Sequence, residues 1–149
     1  MSDFTIGRAT IDDLDSLLPL VQAYRAFYEQ QPDPDRERDF IAAHLRNDTS
    51  TIFIARASGK AAGFAQLFKT YSTTYLAPSL ILEDLFVDPA YRNRGIASAL
   101  LNRALEHAKE TGAAGMFLET AENNAAAQRV YERAGWMREA RFRKYNAPL

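Results

Sequence analysis

The stretch from Ser79 to Ala121 limits the possible folds more than any other part of the chain. It runs SLILEDLFV, DPAYRNRG, IASALLNRALEHAKET and, after Gly-Ala-Ala, GMFLETA. The first and last runs are predicted strands, and Ile96 to Thr111 is a predicted helix. Strand, crossover helix and strand in one sheet form a right-handed βαβ unit, so part of the sheet must be parallel. Gly95 stands at the junction, with Arg92 and Arg94 before it and the apolar face of the helix after it.

The rest of the order builds around that unit. Phe4 to Arg8 is a predicted first strand. Thr10 with Asp13 three residues on makes a capping box, after which Leu14, Leu17, Leu18, Val21, Tyr24 and Tyr28 recur at helical spacing. QQPDPD ends that helix, and a second runs from Asp35 to about Arg46 with Phe40, Ile41 and Leu45 on its buried side. TIFIAR and AAGFAQLFK read as a hairpin about Ser58-Gly59-Lys60. Tyr71 to Pro78 has turn and aromatic residues but no period, and reads as a loop able to line a site. Asn124 to Ala134 is a last helix and REARFRKY a last strand. The predicted order is β-α-α-β-β-β-α-β-α-β, an α/β fold with a central mixed, twisted sheet flanked by helices. One domain over residues 1–149 suffices, since 149 residues can bury a substantial core. There is no repeat, low-complexity tract or interdomain linker.

Composition removes several classes of function. A net charge of -1 implies neither nucleic acid nor membrane as a partner. With no cysteine the chain has no disulfide, zinc–thiolate site or thiol nucleophile. His44 and His107 lack metal-ligand spacing and read as solvated helix residues, so no metal is expected. The opening MSDFTIGRAT lacks the order of a signal peptide, and no apolar run approaches the ~20 residues of a membrane span. A cytoplasmic protein is expected.

The glycine junction suggests a ligand. A helix leaves its first N–H groups unpaired, and its dipole places roughly half a positive charge there. Gly95 lets the backbone turn with positive φ and approach a phosphate with no Cβ in the way, and Ala97 helps by being small. Arg92 and Arg94 add charge and Ser98 a hydroxyl, so main-chain amides can hold a pyrophosphate. Taken alone, Gly95 is equally a plain loop cap with solvated arginines. Neither G-x-x-x-x-G-K-[ST] nor G-x-G-x-x-G occurs, which disfavours a P-loop nucleotidase or a Rossmann dehydrogenase.

VDPAYRNRGIASALL resembles the acetyl-coenzyme A signature of the GNAT family of N-acetyltransferases, in which Arg or Gln is followed by two residues, Gly, one residue, and Gly or Ala. Arg92, Gly95 and Ala97 match it. NAAAQRVYERAGW, Asn124 to Trp136, resembles the same family's Asn-x-x-Ala-x-x-x-Tyr helix. LEDLFV is similar to the spermidine/spermine branch, with Glu83 nine residues before Arg92. The resemblance implies direct transfer of an acetyl group from acetyl-CoA to an amine, without an acyl-enzyme. It implies coenzyme contacts on the main chain of Leu85, Phe86 and Val87, on Arg92, Asn93, Arg94, Gly95, Ile96, Ala97 and Ser98, and on Asn124 and Ala127. Many relatives are homodimers, and the alternation in REARFRKY suits a strand exposed for pairing.

The chemistry assigns roles within that frame. An alkyl amine with pKa near 10.4 costs about 4 to 5 kcal/mol to present neutral at pH 7, so a base is useful. Glu83 and Asp84 are neighbours on an apolar strand; one faces each side of the sheet, and burial makes a carboxylate a better proton acceptor. Glu83 is the candidate base, acting directly or through water; an edge charge or a partner of Arg143 is the competing reading. An oxyanion at the thioester needs a fixed donor, which a strand N–H freed by splaying supplies in that family. Tyr131 is the candidate general acid for the leaving thiolate, though Ala127, Val130, Tyr131 and Ala134 also form an apolar stripe suited to packing. Asn124 also suits the helix N-cap.

For the acceptor, Tyr24, Phe27, Tyr28 and Glu29, with Glu83, Asp84, Tyr71 and Tyr75, form a candidate aromatic and acidic mouth. Arg25 stands where the spermidine/spermine branch has Glu, and with Arg138, Arg141, Arg143 and Lys144 it suits an amine that also bears a carboxylate. A polyamine or lysine-like diamine is the leading acceptor and an amino acid the next. Acetylation of a protein lysine or amino terminus is an alternative, and a non-catalytic acyl-CoA sensor is another of a different class.

Overall fold

A computed structural model describes residues 3–149. The chain divides into two compact units, one ending at Glu119 and the other Thr120–Leu149.

The first unit holds a five-stranded sheet in the order β1-β2-β3-β4-β5. The strands are β1 (Phe4–Arg8), β2 (Thr51–Ala57), β3 (Lys60–Ser72), β4 (Ala77–Val87) and β5 (Gly115–Phe117). Neighbours are antiparallel except β4 and β5, which pair in parallel as the crossover requires. The sheet is therefore mixed, as predicted.

Helices cover both faces of the strands. α1 (Leu14–Phe27) and α2 (Pro34–Asn47) pack on one side, where Leu17, Leu20, Val21 and Ile41 meet Ile52, Ile54, Phe64 and Phe86. α3 (Ile96–Glu110) lies against β2, β3 and β4, with Arg103 over the ring of Phe53 and His107 edge-on to it. Successive β2 side chains thus enter different cores, which is why TIFIA is apolar at nearly every position instead of alternating. Leu100 and Leu101 are fully buried on α3, each contributing about 1.5 to 3 kcal/mol of transfer energy. α1 starts through the expected capping box: Thr10 and Asp13 satisfy each other's backbone N–H around a 3-10 turn. In α2, Ile41 is buried as expected, but Phe40 is 56% exposed and packs edge-on against His44 instead.

The Tyr71–Pro78 loop is shorter than expected. β3 and β4 pair out to Ser72↔Ala77, so only 73–76 remain as a turn. Paired backbone hydrogen bonds outweigh the weak periodicity of the segment, which is too exposed to need an apolar stripe.

The second unit contains α4 (Ala125–Arg133). The predicted final strand is corrected here: 138–145 form no strand among the described residues. Each face of REARFRKY carries charge, so no register buries an apolar row. Glu139 instead accepts hydrogen bonds from both the backbone and the guanidinium of Arg141, a local closure that competes with extension.

Candidate active site

β4 is where the sheet opens. Its pairing with β5 ends at Ile81↔Phe117, while β4 itself continues to Val87. Along the other edge, Leu85, Phe86 and Val87 stay paired with Ala65, Phe64 and Gly63. From Leu82 onward, no strand among the described residues pairs with the β5-facing edge. Backbone donors on that edge are available to a ligand.

The open stretch carries a β-bulge that the sequence did not announce. Gln66 faces Asp84 and Leu67 faces Leu82, leaving Glu83 as the extra residue. Glu83 is exposed, whereas Asp84 is half-buried. Gln66 Nε2 donates to Asp84 Oδ2 at 2.6 Å. Above the pair, the Tyr24 hydroxyl donates to the Glu83 carbonyl at 3.3 Å. Tyr24 packs edge-on to Tyr28, Phe64 and Phe86, with ring centroids 5.1, 5.9 and 6.0 Å away.

This environment separates the two acids. Burial pushes the Asp84 carboxyl above its ordinary range, and the Glu83 charge adds to the rise, while hydrogen bonds from Gln66 and Tyr24 oppose it. Tyr24 is held protonated, chiefly by burial and then by the Asp84 charge. Burial thus raises the proton affinity of Asp84, the neighbour of the candidate base Glu83.

Beyond β4, Asp88 caps a 3-10 turn and the chain enters α3 through Asn93 at φ 62° and Gly95 at φ 82°. Gly95 is the N-cap, so no side chain caps the helix. The first helical bond is Ala99 N–H to the Gly95 carbonyl at 3.0 Å. A Cβ at Gly95 would meet nothing within 4 Å, and the N–H groups of Ile96, Ala97 and Ser98, at the start of the helix, have no intrahelical partner. That cradle fits a diphosphate. The arginines are arranged otherwise than expected: Arg92 Nε donates to the Val87 carbonyl at 3.0 Å with its guanidinium over Phe86, and Arg94 lies over Tyr91, 3.8 Å from Asp3. Backbone amides, more than arginine charge, define the junction.

Arg25 is engaged within the fold. Its guanidinium donates to Glu37 at 2.6 Å and to the Gln31 carbonyl at 2.9 Å, tying α1 to α2. Tyr71 and Tyr75 are 74% and 72% exposed at the β3–β4 hairpin. Tyr71 lines a depression with Arg8, Lys69 and His107, rather than joining Tyr24 and Tyr28.

Within the second unit, Asn124 is the N-cap of α4, its Oδ1 accepting from Ala127 N–H at 3.3 Å. Tyr131 is half-buried, its ring 6.1 Å from that of Trp136. Arg138 pairs with Glu122 and Arg141 with Glu139. Among the described residues, no group of acidic or histidine side chains is placed to hold a metal ion, and no helix is long and apolar enough to cross a membrane.

Comparison with known proteins agrees with this geometry. The model of the acetyltransferase (GNAT) family matches residues 15–136. The uncharacterized N-acetyltransferase YhfO of Bacillus subtilis is 36% identical over 140 residues, covering 94% of each chain. A solved probable acetyltransferase superposes with a TM-score of 0.93 at 35% identity, covering 97% of both chains. An aminoglycoside N-acetyltransferase solved in complex with CoA superposes with a TM-score of 0.83 at 25% identity, covering 100% of this chain and 97% of the other.

Proposed function

This chain belongs to the acetyltransferase (GNAT) family and is an acetyltransferase, and on that footing we propose that it acetylates a primary amine of a small molecule. A polyamine or lysine-like diamine is the preferred acceptor, as in the spermidine/spermine branch that LEDLFV resembles. The observation that carries the reading is β4: the strand leaves its parallel partner at Ile81, bears Glu83 and Asp84 on the free stretch, and then runs into the uncapped start of α3.

Acetyl-CoA, the donor used by this family, supplies an activated thioester. The amides of Ile96, Ala97 and Ser98, with Asn93, Arg94 and Gly95 shaping the turn and Arg92 holding it to Val87, are proposed to take the diphosphate. The free edge at Leu85, Phe86 and Val87 is proposed to take the rest of the coenzyme and to offer an N–H to the oxyanion. On α4, Asn124 and Ala127 are proposed as further coenzyme contacts and Tyr131 as the general acid for the leaving thiolate.

Glu83 and Asp84, beneath Tyr24 and Tyr28, suit a cation. Asp84 receives the amine proton and releases it to water after transfer, while Glu83, exposed on the bulge, draws the ammonium in. The engagement of Arg25 by Glu37 weakens one of the charges that favoured an amino acid. The CoA-bound neighbour is by name an aminoglycoside N-acetyltransferase, which supports a small amine acceptor. The reading includes one domain, a homodimer and a cytoplasmic location; light scattering on the purified chain checks the assembly.

The test is release of free thiol from acetyl-CoA over a panel of polyamines, diamines, amino acids and a lysine peptide. Diamine-dependent release supports the proposal. Release only with the peptide would reassign the enzyme to protein substrates, and coenzyme binding with no amine-dependent release would make it a sensor.

A further inference from the structure

Three polar or charged residues are fully buried among those described: Glu37, Ser50 and Gln66. Glu37 is matched by Arg25. The other two form a line that ends on Asp84. Ser50 Oγ donates to Gln66 Oε1 at 2.9 Å, and Gln66 Nε2 donates to Asp84 Oδ2 at 2.6 Å. Ser50 and Gln66 are 9% and 2% exposed, so neither water nor another side chain readily takes over these bonds.

The order of donors and acceptors gives the line a direction. An amide can be turned end for end, but with its oxygen facing an ionised carboxylate it would repel it and leave the acid without a donor. The ionised Asp84, which can only accept, selects the orientation in which Nε2 points at it, and the Ser50 hydroxyl, able to donate or accept, answers by donating to Oε1 and anchors that end of the amide. The bulge opposite Gln66 places Asp84 directly across the ladder, so the contact depends on the same irregularity that turns Glu83 outward.

We infer that Gln66, anchored by Ser50, is a positioning residue: it holds Asp84 Oδ2, leaves the remaining lone pairs of the carboxylate to Tyr24 and the incoming ammonium, and sets the pH at which Asp84 takes a proton. This rests on the reading of Asp84 as the proton acceptor. The titratable groups facing Asp84 are Glu83 on β4 and Tyr24 on α1, with Tyr28 beside Tyr24; β3 contributes the neutral Gln66. The Gln66 bond favours the ionised acid and opposes the effect of burial. Its removal must therefore move the titration of Asp84 upward.

Gln66→Met keeps the length and removes the donor. Two readouts apply: the carboxyl 13C titration of Asp84 in the free protein, and the acid limb of kcat/KM against pH with the best amine of the panel. Both are expected to rise by about one to two pH units, the worth of a hydrogen bond to a charged group. Ser50→Ala, a gentler change, should move them the same way by less, and it decides the matter if Gln66→Met does not fold. A folded variant in which Asp84 titrates as in the parent overturns the inference, since lost packing would lower stability without moving the limb. Absence of thiol release with every amine defeats the functional reading instead, and the carboxyl titration then still judges Gln66.

Discussion

Gly95→Ala separates the conformational cost of the α3 junction from its ligand. The residue sits at φ 82° and ψ 9°, and an added methyl would meet no atom within 4 Å. The stability cost is therefore backbone strain alone. A left-handed alanine costs roughly 1–2 kcal/mol, and the stiffer unfolded chain returns about 0.4–1 kcal/mol. The net loss is about 1 kcal/mol, which for a chain of this size lowers Tm by about 2–4 °C. On the proposed reading a diphosphate must come within hydrogen-bonding range of the amides of Ile96 to Ser98, and a left-handed residue forced off its angles there would disturb them. CoA affinity measured by calorimetry should fall at least about tenfold, an extra loss of about 1.4 kcal/mol. Gly112→Ala is the control: it has φ 71° and equally open surroundings but lies beyond the other end of α3. It should show a similar fall in Tm with unchanged affinity. Two results would refute the reasoning: Gly95→Ala binding CoA like the parent, or a Tm loss several times that of the control.

Other substitutions test the frame around the site. Gly63→Ala puts a methyl 2.7 Å from the Phe86 carbonyl and 3.3 Å from Val87, backbone that cannot swing aside, so urea unfolding should show about 1–3 kcal/mol lost with the β3–β4 pairing disturbed. Arg25→Ala strands the buried Glu37 carboxylate and should cost about 3–5 kcal/mol, whereas the double change to Arg25→Met and Glu37→Leu should recover most of it in the same denaturation series. Burial holds His107 below its ordinary value near 6.5; the charges of Arg8, Arg103 and Lys69 add to the fall, and Glu110 opposes it. The neutral ring is thus favoured by folding, its contribution is full above about pH 6.5 and is lost as pH falls through the depressed value, and His107→Gln should flatten that part of the stability–pH curve. Tyr131→Phe should lower turnover by about a hundredfold or more while leaving CoA affinity near that of the parent; equal losses would return Tyr131 to packing against Trp136.

Features set by neighbouring residues were legible before any fold was known. The Thr10–Asp13 capping box, the Ser58-Gly59 turn, the positive φ at Gly95 and the Asn124 cap each follow from chemistry within a few residues, and all occur where expected. Candidate site residues needing only a place in the chain, such as the α3 junction, were found the same way. The burial of Asp84 beside an exposed Glu83 was not, because a bulge is a mismatch in count between two strands and neither strand alone displays it. Gln66 and Ser50 gave no signal, being ordinary polar letters in an apolar run and a turn. Arg25 looked like a ligand-facing cation for want of its partner, which comes from another helix. REARFRKY alternated like a strand, yet alternation of charge with charge offers nothing to bury.

The amino-acid order by itself determined that most of the strands and helices exist and in what order, and that a bare helix start follows β4, because these depend largely on interactions across a few residues. Tertiary structure alone decided which acid is buried, which arginine is tied to another helix and which amide bonds to the buried acid. Burial and hydrogen bonding between residues tens of positions apart exist only once the sheet has closed around them.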